Sequence, residues 1–233
     1  MTSNALAPPT ALHALRELGL PLEIARSLAR SPSLLGSPRG RGEPVIVLPG
    51  FATGDRSTLA LRGFLRAIGY RPEGWGLGTN RGDVEALMPR VTQRVARRSA
   101  EYGGPVHLIG WSLGGVLARE AAREMPDHVR SVVTMGTPVV GGPRYTVAAR
   151  LYAAQGFDFD AIEQRIAERE RIPIRVPITS FFSKNDGIVA WRAAIDPSDN
   201  PVEHVEVRDS HLGMGFSSRL YGQIAERLAA CRG

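Results

Sequence analysis

The sequence has one cysteine, Cys231, and one lysine, Lys184. A lone cysteine excludes an intrachain disulfide and a cysteine-built metal cluster. Aromatic residues are few, at 6%, and they do not interleave with the basic ones. This bears on the net charge of +6, which taken alone would suggest a nucleic-acid partner. The basic residues are scattered arginines whose densest groups are Arg97-Arg98 and Arg39/Arg41. With no basic stripe and no stacking platform, the charge reads as arginine bias, and no nucleic-acid binding is expected. No apolar run approaches the ~20 residues of a membrane span, so no integral membrane segment is expected. Met1–Pro9 has no basic n-region, and the apolar stretches that follow are broken by Arg16, Glu17, Glu23 and Arg26, which argues against a signal peptide. The default expectation is a soluble, cytoplasmic protein.

What is present is an ordinary globular composition, 43% hydrophobic and 22% charged over 233 residues, enough to bury one sizeable α/β core. Residues 1–43 read as an accessory segment. Leucines and alanines recur there at helical spacing around Pro21, and a Pro/Gly/Ser/Arg connector follows from Ser31 to Glu43. From Pro44 onward strand and helix signals alternate. "PVIVLPG" (44–50) is a continuous apolar run stopped by Pro-Gly, as expected of a strand buried on both faces. Tyr70–Gly78, "PVHLIG" (105–110), "VRSVVTMG" (129–136), "VPITSFF" (176–182) and "VEHVEVR" (202–208) supply the other strands. Helices are expected over Ser57–Gly69, Asp83–Tyr102, Leu113–Glu124 and Ser217–Cys231. Such alternation implies a mostly parallel sheet of about six strands with helices on both faces, and ligands at the carboxyl edge of the sheet. Residues 139–173 interrupt the alternation and read as a small helical insertion, a cap or lid over the rim of the domain 44–233.

The chemistry concentrates at that edge. Gly110-Trp111-Ser112-Leu113-Gly114 lies where a buried strand meets a helix. A sharp strand-to-helix turn strains its central residue and crowds the positions two before and two after, which glycine relieves. The serine hydroxyl is then exposed above the sheet, with a helix N-terminus behind it. A serine needs a base to become a nucleophile. Of five histidines, His211 alone falls just past a strand in a polar, Gly-containing turn, "DSHLGMG". His107 reads as a core histidine, His204 as a strand-face residue and His128 as solvated. The base needs an orienting carboxylate, and Asp186 follows a strand in "FFSKNDGIV". Asp196 and Asp199 read as solvated loop residues. The order Ser112, Asp186, His211 is that of the α/β-hydrolase triad. Two backbone N–H groups should form the oxyanion hole, those of Leu113 and Phe51. Phe51, Trp111, Leu212 and Met214 are the candidate substrate-binding residues. No metal and no organic cofactor is expected.

The pieces "VIVLPGF", "GWGLGTNRG", "HLIGWSLGGVLAREAAREMPDHVRSVVTMGTPVVGG", "SKNDGIVAW" and "SHLGMG" resemble, in that order, an α/β-hydrolase of the bacterial lipase/esterase type. The resemblance spans roughly Pro44 to Gly215. It implies a serine hydrolase that cleaves carboxylic esters, small-molecule or lipid, through an acyl-enzyme. Alternatives on the same fold are an acyltransferase or thioesterase, and a catalytically silent binding module. Two departures stand out. Many such lipases have His-Gly where this chain has Pro49-Gly50, and a histidine after Thr-Pro where it has Val139. The first leaves a backbone donor in place; the second removes a contact that supports the loop. Acyl chain length, the alcohol portion and oligomeric state are not written in the sequence.

Overall fold

The computed structural model of the protein describes residues 6–231. Its centre is one sheet of six parallel strands in the order β2-β1-β3-β4-β5-β6, formed by β1 (Pro44–Leu48), β2 (Arg71–Gly74), β3 (Val106–Trp111), β4 (Val129–Met135), β5 (Ile178–Ser183) and β6 (Val202–Val207). The helices are α1 (Ala11–Ala14), α2 (Leu20–Arg30), α3 (Leu59–Ala67), α4 (Val84–Tyr102), α5 (Leu113–Glu124), α6 (Ala149–Ala154), α7 (Phe159–Arg169) and α8 (Ser218–Ala230). Among the described residues no helix is long and apolar enough to cross a membrane. The chain has the α/β-hydrolase fold, in which helices cover both faces of the sheet.

Both faces of the central strands are buried, and this explains their unbroken apolar runs. All of β1 is buried. Val45 and Val47 pack with Leu61, Leu65 and Ile224 on the α3/α8 face, while Ile46 and Leu48 pack with Val91, Leu117 and Ala121 on the α4/α5 face. Alternation along one strand thus divides the core into two layers. The helix ends follow local chemistry. The Asp83 side chain accepts from Ala86 N at 3.0 Å at the start of α4, and Gly103, at φ 77°, ends it in the left-handed region.

Three expectations need correction. The second strand closes at Gly74, four residues earlier than Tyr70–Gly78 suggests, because Gly76 and Gly78 both have positive φ and Trp75 Nε1 donates to Gly78 O at 2.9 Å, turning the chain out of the sheet. Asp196 is not solvated. It is buried beneath the end of the sheet, ion-paired to Arg119 at 2.5 Å, and its amide donates to His204 Nε2 at 2.9 Å. His128, read as solvated, is half-buried and paired with Ser99 Oγ at 3.0 Å. His107 is a core histidine as expected, with Nδ1 2.7 Å from Ser131 Oγ.

Residues ahead of β1 lie against the loops that follow β5 and β6. Ser27 Oγ donates to Phe216 O at 2.6 Å and accepts from Ser218 N at 2.7 Å, while Arg16 Nη1 donates to Asn185 Oδ1 at 2.9 Å. The contacts are mostly polar, with Leu34 packed against the α3/α8 layer. No residue of α2 is buried, and Leu12, Leu15, Leu18, Leu22, Leu28 and Leu35 are each more than half exposed.

Candidate active site

The sheet reverses its direction of growth at β1: β2 lies on one side and β3 on the other. Loops leaving the carboxyl ends of β1 and β3 therefore part there and leave a crevice. Gly50 and Ser112 face each other across it. A Cβ on Gly50 would stand 3.2 Å from Ser112 Cβ and 3.4 Å from Trp111 O, so any side chain there would press on the serine turn.

Ser112 has φ 54° and ψ −124°, a conformation that costs a non-glycine residue roughly 1–3 kcal/mol. Its surroundings over-determine it. Ser112 N donates to Met135 O at 2.8 Å, and Ser112 O accepts from Thr137 Oγ1 at 3.0 Å and Gly115 N at 2.9 Å. The crowding expected around the turn is severe: a Cβ on Gly110 would come within 2.3 Å of Gly115 Cα, and one on Gly114 within 2.2 Å of Leu48 O. Ser112 stays partly exposed although Trp111 and Leu113 on either side are buried.

The structure brings Asp186 and His211 together. Asp186 Oδ2 lies 2.7 Å from His211 Nδ1, and both side chains are almost wholly out of water. The other carboxylate oxygen accepts from Ile188 N at 2.9 Å and Val189 N at 2.7 Å, which fixes the rotation of the group. Burial opposes a proton on the His211 imidazole. The Asp186 charge and hydrogen bond, with the charge of Glu17, outweigh it and raise the pKa above the ordinary histidine value.

Ser112 and His211 line one cavity of about 360 Å³. Phe51, Trp111, Leu113 and Leu212 line it as well, and residues 139–173 contribute Val139, Tyr152 and Ile166 among others. Phe51 stacks on Tyr152, with ring centroids 4.3 Å apart. Met214 does not join them: it is fully buried in the α3/α8 layer and does not line the cavity, because the short helical turn Gly213–Phe216 directs it inward. Among the described residues no group of three or more His, Cys, Asp or Glu side chains could hold a metal ion.

Several supporting residues escaped the sequence reading. Asn80, fully buried, donates through Nδ2 to Pro49 O at 2.9 Å, and its backbone bonds Ala52 and Thr53, so it shapes the loop after β1. In that loop Ala52 is, besides Ser112, the other non-glycine residue at positive φ among the described residues. Gly136 passes beneath the acid–base pair, where a Cβ would lie 2.8 Å from His211 Nδ1 and 2.9 Å from Asp186 Oδ2. The one visible signal was the placement of Asn80 and Gly136 in polar or glycine-rich turns after strands. What those turns hold is a tertiary matter.

Comparisons with known proteins agree with this architecture. A model of the alpha/beta hydrolase fold matches residues 102–165 and so includes Ser112. The pimeloyl-[acyl-carrier protein] methyl ester esterase of Aeromonas hydrophila is 34% identical over 64 residues, 28% of this chain and 24% of its own length. The mitochondrial palmitoyl-protein thioesterase ABHD10 of Bos taurus is 24% identical over 196 residues, 70% of this chain and 63% of its own. The matches thus span about a quarter and somewhat under two thirds of these curated relatives. Among solved structures, a monoacylglycerol lipase of Paleococcus ferrophilus superposes with a TM-score of 0.60 at 16% identity, covering 83% of this chain and 97% of that one. Alpha/beta hydrolase domain-containing protein 10 from mouse gives 0.55 at 19% identity, covering 82% and 90%. At such identities the likeness speaks for the fold. The parallel sheet, the strained serine turn at its switch point and the family match across that turn together give the chain the α/β-hydrolase fold.

Proposed function

We propose that the protein is a serine hydrolase that cleaves carboxylic esters, with Ser112, Asp186 and His211 as catalytic residues. The observation that carries the reading is the buried 2.7 Å Asp186–His211 pair set on the same cavity as a serine held at positive φ. His211 takes the Ser112 proton through Nε2 while Asp186 holds the proton on Nδ1. Ser112 Oγ attacks the ester carbonyl, and the backbone N–H groups of Phe51 and Leu113 receive the oxyanion. Leu113 opens α5, so its amide has no partner within the helix. The amides of Ala52 and Thr53 are already bonded to Asn80 O and Gly50 O. His211 then gives its proton to the departing alcohol. Water, deprotonated by the same imidazole, attacks the acyl carbonyl; the acyl–Oγ bond breaks, the imidazolium returns its proton to Ser112 Oγ, and the acid leaves.

In this reading residues 44–233 form the hydrolase domain, with 1–43 as an accessory segment and 139–173 as a lid. Phe51, Trp111, Leu212 and the 139–173 residues wall the acyl site, and a small-molecule or lipid ester is the substrate. A thioester is the second reading. It is supported by the name of one curated relative, a palmitoyl-protein thioesterase, whereas the other is named a methyl ester esterase. The test is turnover of p-nitrophenyl esters and acyl-thioesters by wild type and Ser112→Ala, with fluorophosphonate labelling of both. Loss of about three decades of kcat in the folded variant, and labelling lost with it, supports the reading. Equal turnover by the variant overturns it.

A further inference from the structure

The loops that carry Asp186 and His211 share an anchor outside the hydrolase-type core. Glu17 lies in the short 3-10 turn Leu15–Gly19 ahead of α2. Its Oε1 accepts from His211 N at 2.9 Å and from Gly187 N at 2.9 Å, and its Oε2 accepts from Leu212 N at 2.8 Å. One carboxylate therefore receives the backbone of the base, of the residue after the base, and of the residue after the acid. Charge-assisted bonds of this kind are about twice as strong as neutral ones.

The close fit excludes a loose encounter. A Cβ on Gly187 would sit 2.5 Å from His13 O and 2.9 Å from Glu17 Oε1. Neighbouring bonds keep Glu17 in place: Arg16 Nη1 reaches Asn185 Oδ1 at 2.9 Å, and Glu23 accepts from Ser210 Oγ at 3.1 Å. Asn185 Nδ2 in turn donates to Arg208 O at 2.8 Å, which ties the two loops to each other. Without the Glu17 carboxylate, three converging amides would lose their acceptor and the loops would be free to shift.

We infer that Glu17 is a positioning residue for the proposed reaction, fixing the backbone from which Asp186 and His211 meet and setting the reach of the imidazole toward Ser112. The inference rests on the esterase reading given above. Glu17 also contributes negative charge near the imidazole. Asp186 from the loop after β5 and Glu17 from the N-terminal segment are the charged groups acting on it, and both favour its protonated form. A glutamate that only braced the fold would lose activity in step with the folded fraction and leave kcat per folded molecule unchanged.

The experiment uses the full-length chain with Glu17→Ala and Glu17→Gln, and p-nitrophenyl esters as the probe. Displacement of a catalytic group by about 1 Å can cost on the order of 100-fold. Glu17→Ala is therefore expected to lose about 10- to 100-fold in kcat at equal folded fraction, with KM changed by less than about threefold. Glu17→Gln keeps one acceptor oxygen without the charge. It is expected to lose less in kcat, yet to share with Glu17→Ala an acid limb of kcat/KM moved to lower pH. If Glu17→Ala does not fold, the isosteric Glu17→Gln carries the test through its pH profile. Unchanged kcat and an unmoved acid limb in a folded variant would overturn the inference, as would a loss that merely tracks the folded fraction. Wild type and Ser112→Ala are measured alongside. If wild type is inactive, or Ser112→Ala equals it, the esterase reading itself fails; a Ser112-dependent wild type with unaffected Glu17 variants sinks this inference alone.

Discussion

Arg119 on α5 and Asp196 in the loop after β5 meet at 2.5 Å, with side chains only 4% and 2% exposed. Glu170, Arg123 and Glu120 extend the pair into a cluster, and Arg169 reaches Glu120 at 2.7 Å. The cluster ties α5, which begins at Leu113, to the end of the 139–173 region.

Breaking such a buried pair leaves one charge uncompensated, at a cost of about 3–5 kcal/mol. Asp196→Leu and Arg119→Met should each lower the melting temperature strongly. The double variant should recover much of the loss, as a calorimetric double-mutant cycle would read. Burial pushes the Asp196 pKa up, but the Ser198 hydrogen bond and the Arg119 charge outweigh it and hold it at about 2 against an ordinary 3.8. The contribution is thus complete above about pH 4 and is lost as pH falls through about 2. Asp196→Leu should flatten that part of an acid-unfolding curve.

His211 is needed neutral to accept the serine proton, and its pKa is raised. The acid limb of kcat/KM should therefore lie above the ordinary histidine value of about 6.5. Asp186→Asn removes the leading cause, so its residual activity should show an acid limb at lower pH. It should also lose on the order of 10⁴ in kcat, the loss known for the equivalent change in a serine protease triad. A limb below pH 6 in the wild type would contradict this account.

Ser112 offers a test of backbone strain that needs no substrate. At φ 54° a Cβ is penalised, so Ser112→Gly should unfold at a higher denaturant concentration than Ser112→Ala. The expected gap is about 1 kcal/mol, against the usual preference for alanine over glycine. Equal midpoints would mean that the turn relaxes when the hydroxyl is removed.

Tyr152 on α6 is buried, stacks on Phe51 and meets Phe157 edge-on at 5.3 Å. If this aromatic wall holds the acyl group, Tyr152→Ala should raise KM several-fold for medium-chain esters and leave kcat within about threefold. The discriminating measurement is KM against chain length: an effect that does not grow with chain length would remove Tyr152 from the acyl wall.

Much of the fold was legible because both faces of β1 and β3 are buried. Double burial turns a strand into an unbroken apolar run bounded by Pro-Gly or Gly-x-Ser-x-Gly, a local signal. Ser112 and Asp186 each sit just past such a run, and His211 follows the alternating strand β6; that placement was legible, and the structure brings Asp186 and His211 together at 2.7 Å. Asp196 was misread because burial of a loop carboxylate depends on Arg119, seventy-seven positions away. Met214 shows the same limit. Its turn was correctly located, but which way a side chain points from a short 3-10 turn is set by packing. Asn80 and Glu17 act through distant backbone groups, for which no sequence spacing exists.

The leucines that face water between residues 12 and 35 bear on how the protein opens. A segment that buries so little apolar surface is held mainly by hydrogen bonds, so its release should expose little surface and carry a small heat-capacity change. The amides of Gly187, His211 and Leu212 are bonded to that segment and not to the sheet. Their hydrogen exchange should follow this local opening, and be faster than exchange of the β3 and β4 amides that report global unfolding.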